Sequence, residues 1–279
     1  MSKLKFAASS ILSLLIIVIM IFVICYPFVF MVLGSFKEDY EIFTLTPQLL
    51  PRNGFTFIKY EQLLASWPFF HSMANSIIVT VVQTIGACFL CAMAGFAFGK
   101  YHFPCRNALF IVVLASMMMP SETRLVPTYM LFRTLGGMNK LWSLIVPGLV
   151  PAFGVFMMRQ FAVGSVPTET MESARIEGAS ENAILLRIGI PMMAPAIFSF
   201  AILNFMSTWN DYLWPIIIIN ERTKMTATAL LRSIGDVSLN GNHGMLLAGT
   251  TLSTLPILFV YLFFNKQLIN GILEGSGKE

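Results

Sequence analysis

The chain has 279 residues, of which 56% are hydrophobic and only 11% charged, with a mean hydropathy of +0.75. A soluble domain carries about 25% charged residues, so this composition excludes one and reads as a chain embedded in the lipid bilayer. The net charge of +4 is small and scattered, which excludes a nucleic-acid surface.

A helix needs about 20 apolar residues to cross a bilayer, and six such runs are predicted. They lie at about 10–33, 72–98, 108–131, 141–161, 190–219 and 245–264, within one transmembrane domain covering 1–279. The fold class is therefore an all-α polytopic membrane protein. The first run is too long for a signal-peptide core and lacks a small-residue cleavage site, so it is read as an uncleaved span. The third is interrupted by Pro120, Glu122, Arg124 and Pro127. The fifth exceeds what a bilayer core needs, and a break is expected at Pro215 or within "STWNDYLWP", because proline cannot continue a helical ladder. Six spans put both termini on one side. The Lys/Arg bias ties at nine of eighteen on each side, and the short basic loop "GKYHFPCRN" tips it toward termini inside the cell.

Signatures of enzymes are missing. The chain has no G-x-S-x-G elbow, no H-E-x-x-H and no paired two-cysteine metal spacing. His71, His102 and His243 fall in loops or at span ends. Cys88 and Cys91 form one C-x-x-C inside an apolar run, which reads as buried small hydrophobes. "GFAFGKY" does not make a P-loop: three residues separate Gly95 from Gly99, and Tyr101 stands where Ser or Thr would hold magnesium. These glycines fit close helix packing instead. No catalytic residue, no metal site and no cofactor bound by this chain is expected.

Polar residues within spans are costly and mark function or helix pairing. Ser76, Thr80 and Gln83/Thr84 share one face of the second span. Asn204, Ser207/Thr208 and Asp211 repeat the pattern in the fifth, beside Trp209, Tyr212 and Trp214, and the sixth adds Thr250, Thr251, Ser253 and Thr254. Interhelical hydrogen bonding with an interfacial aromatic belt accounts for this set. So does a polar pathway with aromatic platforms, suited to sugars, whose hydroxyls need partners and whose C–H faces stack on rings. The candidate pathway is Ser76, Thr80, Gln83, Asn204, Ser207, Thr208, Asp211, Tyr212, Trp214 and Thr250.

Between the fourth and fifth spans, at about 165–190, lies a polar helix-forming stretch, "ETMESARIEGASENAILLRIGIP". Pro167 fits a helix's first turn, Thr168 is a candidate cap, and Glu169 and Glu172 sit near the positive end of the dipole. Gly178 permits a left-handed or otherwise sharp turn into a second helical piece leading to Pro191. Ser173, Ala174, Gly178 and Ala179 are small enough for another protein to approach the backbone.

That stretch resembles the EAA loop of ABC importer permeases, E-A-A-x-x-x-G, nine residues, I-x-L-P. The matching residues are Glu172-Ser173-Ala174, then Glu177-Gly178-Ala179, nine residues from Ala179 to Arg187, and Ile188-Gly189-Ile190-Pro191. Ser173 replaces Ala, Glu177 stands where Asp is common, and Ile190 replaces Leu. "YPFVFMVLGSFK", "AGFAFGKYHFPCRN", "MMMPSETRLVPTYMLF", "GVFMMRQF" and "TWNDYLWPIII" resemble the carbohydrate-uptake branch, at the second permease of maltose-type importers. The resemblance implies a type I permease fold of six helices with a cytoplasmic coupling helix, importing a di- or oligosaccharide. It also implies a homologous permease as heterodimer partner, two cytoplasmic ATPase subunits supplying hydrolysis, and an extracellular solute-binding protein. Glu172, Ala174, Gly178 and Ala179 would contact the ATPase, flanked by Ser173, Arg175 and Glu177, with Pro191 closing the motif. The C-terminal "NKQLINGILEGSGKE" departs from the sugar branch toward glycerol-phosphate permeases, and with Arg124 it keeps glycerol-3-phosphate as the alternative cargo. A stand-alone carrier or channel is the rival of another class, against which no internal repeat is seen.

Overall fold

The computed structural model describes residues 2–44, 48–52, 54–238 and 242–276, with only the backbone at 2–12, 238 and 265–276. Among the described residues every regular element is helical. Helix α1 (Ser2–Gly34) is followed by α2 (Asp39–Ile42), α3 (Ile58–Ser66), α4 (Phe69–Lys100) and α5 (Arg106–Met117). A 3₁₀ turn, Ser121–Arg124, leads into α6 (Leu125–Thr134). Then come α7 (Trp142–Ile145), a second 3₁₀ turn at Val146–Gly148, α8 (Ala152–Ser165), α9 (Thr168–Ile176) and α10 (Glu181–Ile184). A π-helical turn, Leu185–Gly189, precedes α11 (Ile190–Met192), α12 (Ala194–Asn210), α13 (Leu213–Ile218), α14 (Ala227–Ser238) and α15 (His243–Ser276).

Among the described residues, three helical stretches are long and apolar enough to cross a membrane: Ser13–Gly34, Phe69–Lys100 and His243–Phe264. Three more crossings arise if each bent pair counts as one: Arg106–Met117 with Ser121–Thr134 at 105°, Trp142–Gly148 with Ala152–Ser165 at 42°, and Glu181–Met192 with Ala194–Asn210 at 73°. Helix α5 alone rises about 18 Å, short of a ~30 Å hydrocarbon core. Its break comes at extended Pro120 (φ −56°, ψ 137°).

The fifth run breaks within "STWNDYLWP", ahead of Pro215. Helix α12 ends at Asn210 and the chain turns at Asp211–Tyr212. The Asp211 carboxylate accepts the N–H groups of Leu213 (3.1 Å) and Trp214 (3.4 Å). Pro215 then falls in the first turn of α13, where a missing N–H is harmless. Thr168 needs correcting as a cap: α9 starts at Thr168 itself, after extended Pro167 (φ −65°, ψ 139°), without a side-chain cap.

The chain forms two compact units, Met1–Phe69 with Leu231–Leu255, and Phe70–Leu230 with Pro256–Glu279. In the first, α1 is apolar all round and none of its most apolar window is buried, so lipid or another chain must cover it. Buried Lys59 pairs with Asp39, whose other oxygen accepts the Gly244 N–H at 2.8 Å. Phe36 packs against Phe55, Phe57 and Tyr60.

The second unit holds a core of Phe96, Val155, Met158, Ala162, Met171, Ile184, Met193 and Phe200, among others. Close approach of α4 and α8 depends on Gly95. A Cβ there would lie 2.3 Å from Met158 Cβ and 2.6 Å from Arg159 N. Gly99 is the next such position, 3.0 Å from Ala162 Cβ. Both are the glycines of "GFAFGKY", and their use is packing. Cys88 and Cys91 are free thiols, Cys91 fully buried in this core.

Candidate functional site

Two places in the second unit concentrate polar groups. The first is the loop from α9 to Pro191. Helix α9 closes in a Schellman motif: Gly178 takes φ +85°, its N–H donates to Arg175 O (3.0 Å), and the Ala179 N–H donates to Ala174 O (2.9 Å). Ser180 then caps α10, accepting the Ala183 N–H at 3.3 Å. Across the turn, the Arg175 guanidinium grips the Glu181 carboxylate through both oxygens, at 2.7 and 3.1 Å. Those hydrogen bonds raise the guanidinium's pKa above its ordinary value. Tyr101, whose hydroxyl donates to Glu181 O, is pushed up to about 12, first by burial and then by Glu181.

The motif residues divide by environment. Ala174 and Ala179 lean on the core of the unit, whereas Glu172, Ser173, Arg175, Glu177 and Gly178 are exposed, as is Pro191 in α11. Two apolar side chains bolt the loop down, Met171 (1% exposed) and Ile184 (fully buried). Gly189 in the π-helical turn lets the Phe96 ring approach, since a Cβ would lie 2.5 Å from it. Ile176 points the other way. At 88% exposure it is a bare aliphatic side chain between Arg175 and Glu177, at the tip of the turn. Residue patterns alone passed over it, although an isolated apolar residue in "ARIEG" was the available signal.

The second place is a cavity of two overlapping lobes, about 690 and 390 Å³. Both lobes share Gln83, Ser121, Leu125, Leu144, Ser207, Thr208, Asp211 and Trp214. Asn204 and Arg124 line the smaller lobe and Glu122 the larger. Gln83 Nε2 donates to Thr208 Oγ1 at 2.8 Å, and Asn204 Nδ2 reaches Thr84 Oγ1 at 3.4 Å, linking α4 to α12. Trp214 is locked by its Nε1–H, which donates to Ser143 O at 2.9 Å, and by an edge contact with Phe132. The cavity's volume falls in the range of ligand pockets, roughly 300–1,000 Å³.

Gln83, Asn204, Ser207, Thr208, Asp211 and Trp214 thus come together. Ser76 and Thr80 are buried without lining the cavity, and the Ser76 hydroxyl accepts the Ala227 N–H (2.7 Å) at the start of α14. Tyr212 is exposed and outside the lining. Thr250 belongs to the other unit, where its hydroxyl donates to Leu246 O of its own helix. Ser121, Glu122 and Thr128 were missed as site residues, and Arg124 entered only as a group for a phosphorylated cargo. The polar interruption of the third run was their signal, because a broken helix presents such groups to a cavity rather than to lipid. Among the described residues no cluster of His, Cys, Asp or Glu has metal-ligand spacing.

Gly148 makes room for the Gln83 amide: a Cβ there would lie 2.1 Å from Nε2. The clash is with the end of a flexible side chain, so Gly148→Ala is expected to melt near wild type. On the transport role that the loop resemblance implies, it should lower solute uptake into proteoliposomes about as far as Gln83→Ala does. Wild-type uptake by both variants would remove Gln83 from the candidate pathway.

Comparison with known proteins fits this architecture. Residues 91–272 match the family described as binding-protein-dependent transport system inner membrane component. The chain is 30% identical to the arabinooligosaccharides transport system permease protein AraQ of Halalkalibacterium halodurans, covering 92% of each. It shares its fold with a chain of a bacterial ABC transporter involved in import of the acidic polysaccharide alginate, at TM-score 0.80 and 20% identity, over 94% of this chain and 97% of that one. A second match, at TM-score 0.68 and 13% identity over 95% and 94%, is to a bacterial alginate ABC transporter in complex with an alginate pentasaccharide-bound periplasmic protein. With the family model covering well over half its length, this chain belongs to the binding-protein-dependent transport system inner membrane components, the multi-pass permease subunits of ABC importers.

Proposed function

We propose that this chain is the translocating permease subunit of an ATP-driven importer that moves a di- or oligosaccharide across the cytoplasmic membrane. The loop at 165–190 faces the cytoplasm with both termini, and the six crossings lie near 10–33, 72–98, 108–131, 141–161, 190–219 and 245–264. A homologous permease covers the exposed α1 face as heterodimer partner, two ATPase subunits supply hydrolysis, and a solute-binding protein delivers cargo. The chain brings no nucleotide site or cofactor of its own. Similarity to AraQ and the polar, Trp-bearing cavity support a carbohydrate cargo.

The observation that carries the reading is the mounting of the coupling loop. Its outer surface, Glu172, Ser173, Arg175, Ile176, Glu177 and Gly178, is free for an ATPase cleft. Its inner surface, Met171, Ala174, Ala179 and Ile184, belongs to one core with Phe96, Met158 and Phe200 of α4, α8 and α12. Protein interiors are close-packed and transmit displacement. When ATP closes the ATPase dimer, the docked loop moves and carries those three helices with it, reshaping the cavity that Gln83, Asn204 and Thr208 line.

Gly178 provides the test. A side chain there meets nothing within 4 Å, and aspartate tolerates positive φ better than most residues. Gly178→Asp should therefore insert and fold, while its added charge lowers sugar-stimulated ATPase activity of the reconstituted complex about tenfold or more. The same assay across a panel of neutral sugars, uronates and glycerol-3-phosphate identifies the cargo class. Normal uptake by Gly178→Asp at normal expression would sink the coupling assignment.

A further inference from the structure

Resting on the carbohydrate reading, we propose that this cavity selects uncharged sugars and rejects uronates and phosphorylated polyols. The charged groups of its lining carry the inference. Glu122 and Asp211 line the larger lobe, which has no Lys or Arg among its lining residues. Arg124 enters the smaller lobe, which Asp211 also lines, and sits on the same 3₁₀ turn as Glu122. The combined lining carries two carboxylates against one guanidinium.

Hydrogen-bond supply points the same way. The first amides of α13 would be natural donors to an anion, but the Asp211 Oδ1 already accepts from Leu213 and Trp214. An ionised carboxylate only accepts, so Asp211 and Glu122 suit sugar hydroxyls and repel a ligand carboxylate or phosphate. Gln83 has given one amide proton to Thr208, so its carbonyl oxygen and its second N–H both remain for sugar hydroxyls, which donate and accept alike.

The experiment bypasses the binding protein, whose own selectivity would mask the cavity's. Tryptophan fluorescence of the purified permease pair in lipid nanodiscs is titrated with neutral trisaccharides (maltotriose, raffinose, arabinotriose), with trigalacturonate and with glycerol-3-phosphate. Trp214→Phe serves as the control for signal from the cavity. At least one neutral trisaccharide should bind, and both anions should bind about tenfold or more weakly, because like charges repel in the lobe that Glu122 and Asp211 line. Glu122→Gln and Asp211→Asn should each narrow that gap severalfold, the amide oxygen introduced by the second still accepting the α13 N–H groups. Anions binding as tightly as the neutral sugars, or a gap unchanged in both variants, would overturn the proposal while leaving a carbohydrate importer standing. Binding of neither class to the pair overturns it as well. Sugar-stimulated ATPase activity of the full complex then decides separately whether the carbohydrate reading survives.

Discussion

Ile184→Ala is expected to destabilise the chain by about 2–5 kcal/mol, the usual loss for a large aliphatic truncated in a packed core. The identical change at Ile176, across the Gly178 turn, should leave stability unaltered. Ile184 is fully buried in the core that holds Phe96 and Met171, while Ile176 is 88% exposed. An isolated exposed aliphatic contributes little to folding, but at the centre of a docking face it can act as an anchor worth about 2 kcal/mol or more. Ile176→Ala should then weaken binding of the proposed ATPase partner about 30-fold. Thermal unfolding of the purified subunit separates the two variants, and immobilised-permease titration of the ATPase measures the second effect. ATPase binding by Ile176→Ala at wild-type strength would place the docking face elsewhere on the loop. A melting temperature unchanged by Ile184→Ala would refute the loop's anchorage in the core, and with it the proposed route from the loop to α4, α8 and α12.

Gly95→Ala should destabilise the same unit by about 1–3 kcal/mol, the range for added methyl groups in a well-packed core. Its Cβ would meet Met158 Cβ at 2.3 Å and the backbone nitrogen of Arg159 at 2.6 Å, so no rotamer change relieves the clash and α4 must retreat from α8. Gly164→Ala, on α8 itself, meets nothing within 4 Å. Alanine is the better helix former, so that variant should match or slightly exceed wild type. The pair uses one substitution in opposite surroundings, and thermal unfolding in the same detergent reads both. Gly95→Ala melting with wild type would show that the two helices are not held at the distance seen. A marked loss from Gly164→Ala would count against the exposure of that face of α8.

The polarity of the 165–190 stretch and its Gly178 turn were legible because both are local. A helix whose last turn closes through the Ala179 and Gly178 amides needs one residue at positive φ, and glycine takes it at little cost. What Ala174 and Ala179 face was not legible. Small residues suit a partner's approach as well as they suit packing beneath the loop, and only the position of Met171, Ile184 and the core decides that these two alanines lean inward. Ile176 was hidden for the same reason, since its significance lies in having nothing over it.

Apolar run lengths marked where long apolar helices form, because hydrocarbon leaves the backbone little choice but to satisfy itself. The residue pattern also ruled out a P-loop at "GFAFGKY" and pointed to close packing for Gly95 and Gly99. Tertiary structure decided which polar groups share a space. Ser76 and Gln83 lie on one face of α4 by periodicity, yet one meets the Ala227 amide and the other Thr208, partners more than a hundred residues away. The interruption at Pro120 to Arg124 looked like weakness in a span until the 105° bend placed Ser121, Glu122 and Arg124 around a cavity. Helical periodicity sets direction within one element, and the contents of a cavity depend on how several elements cross.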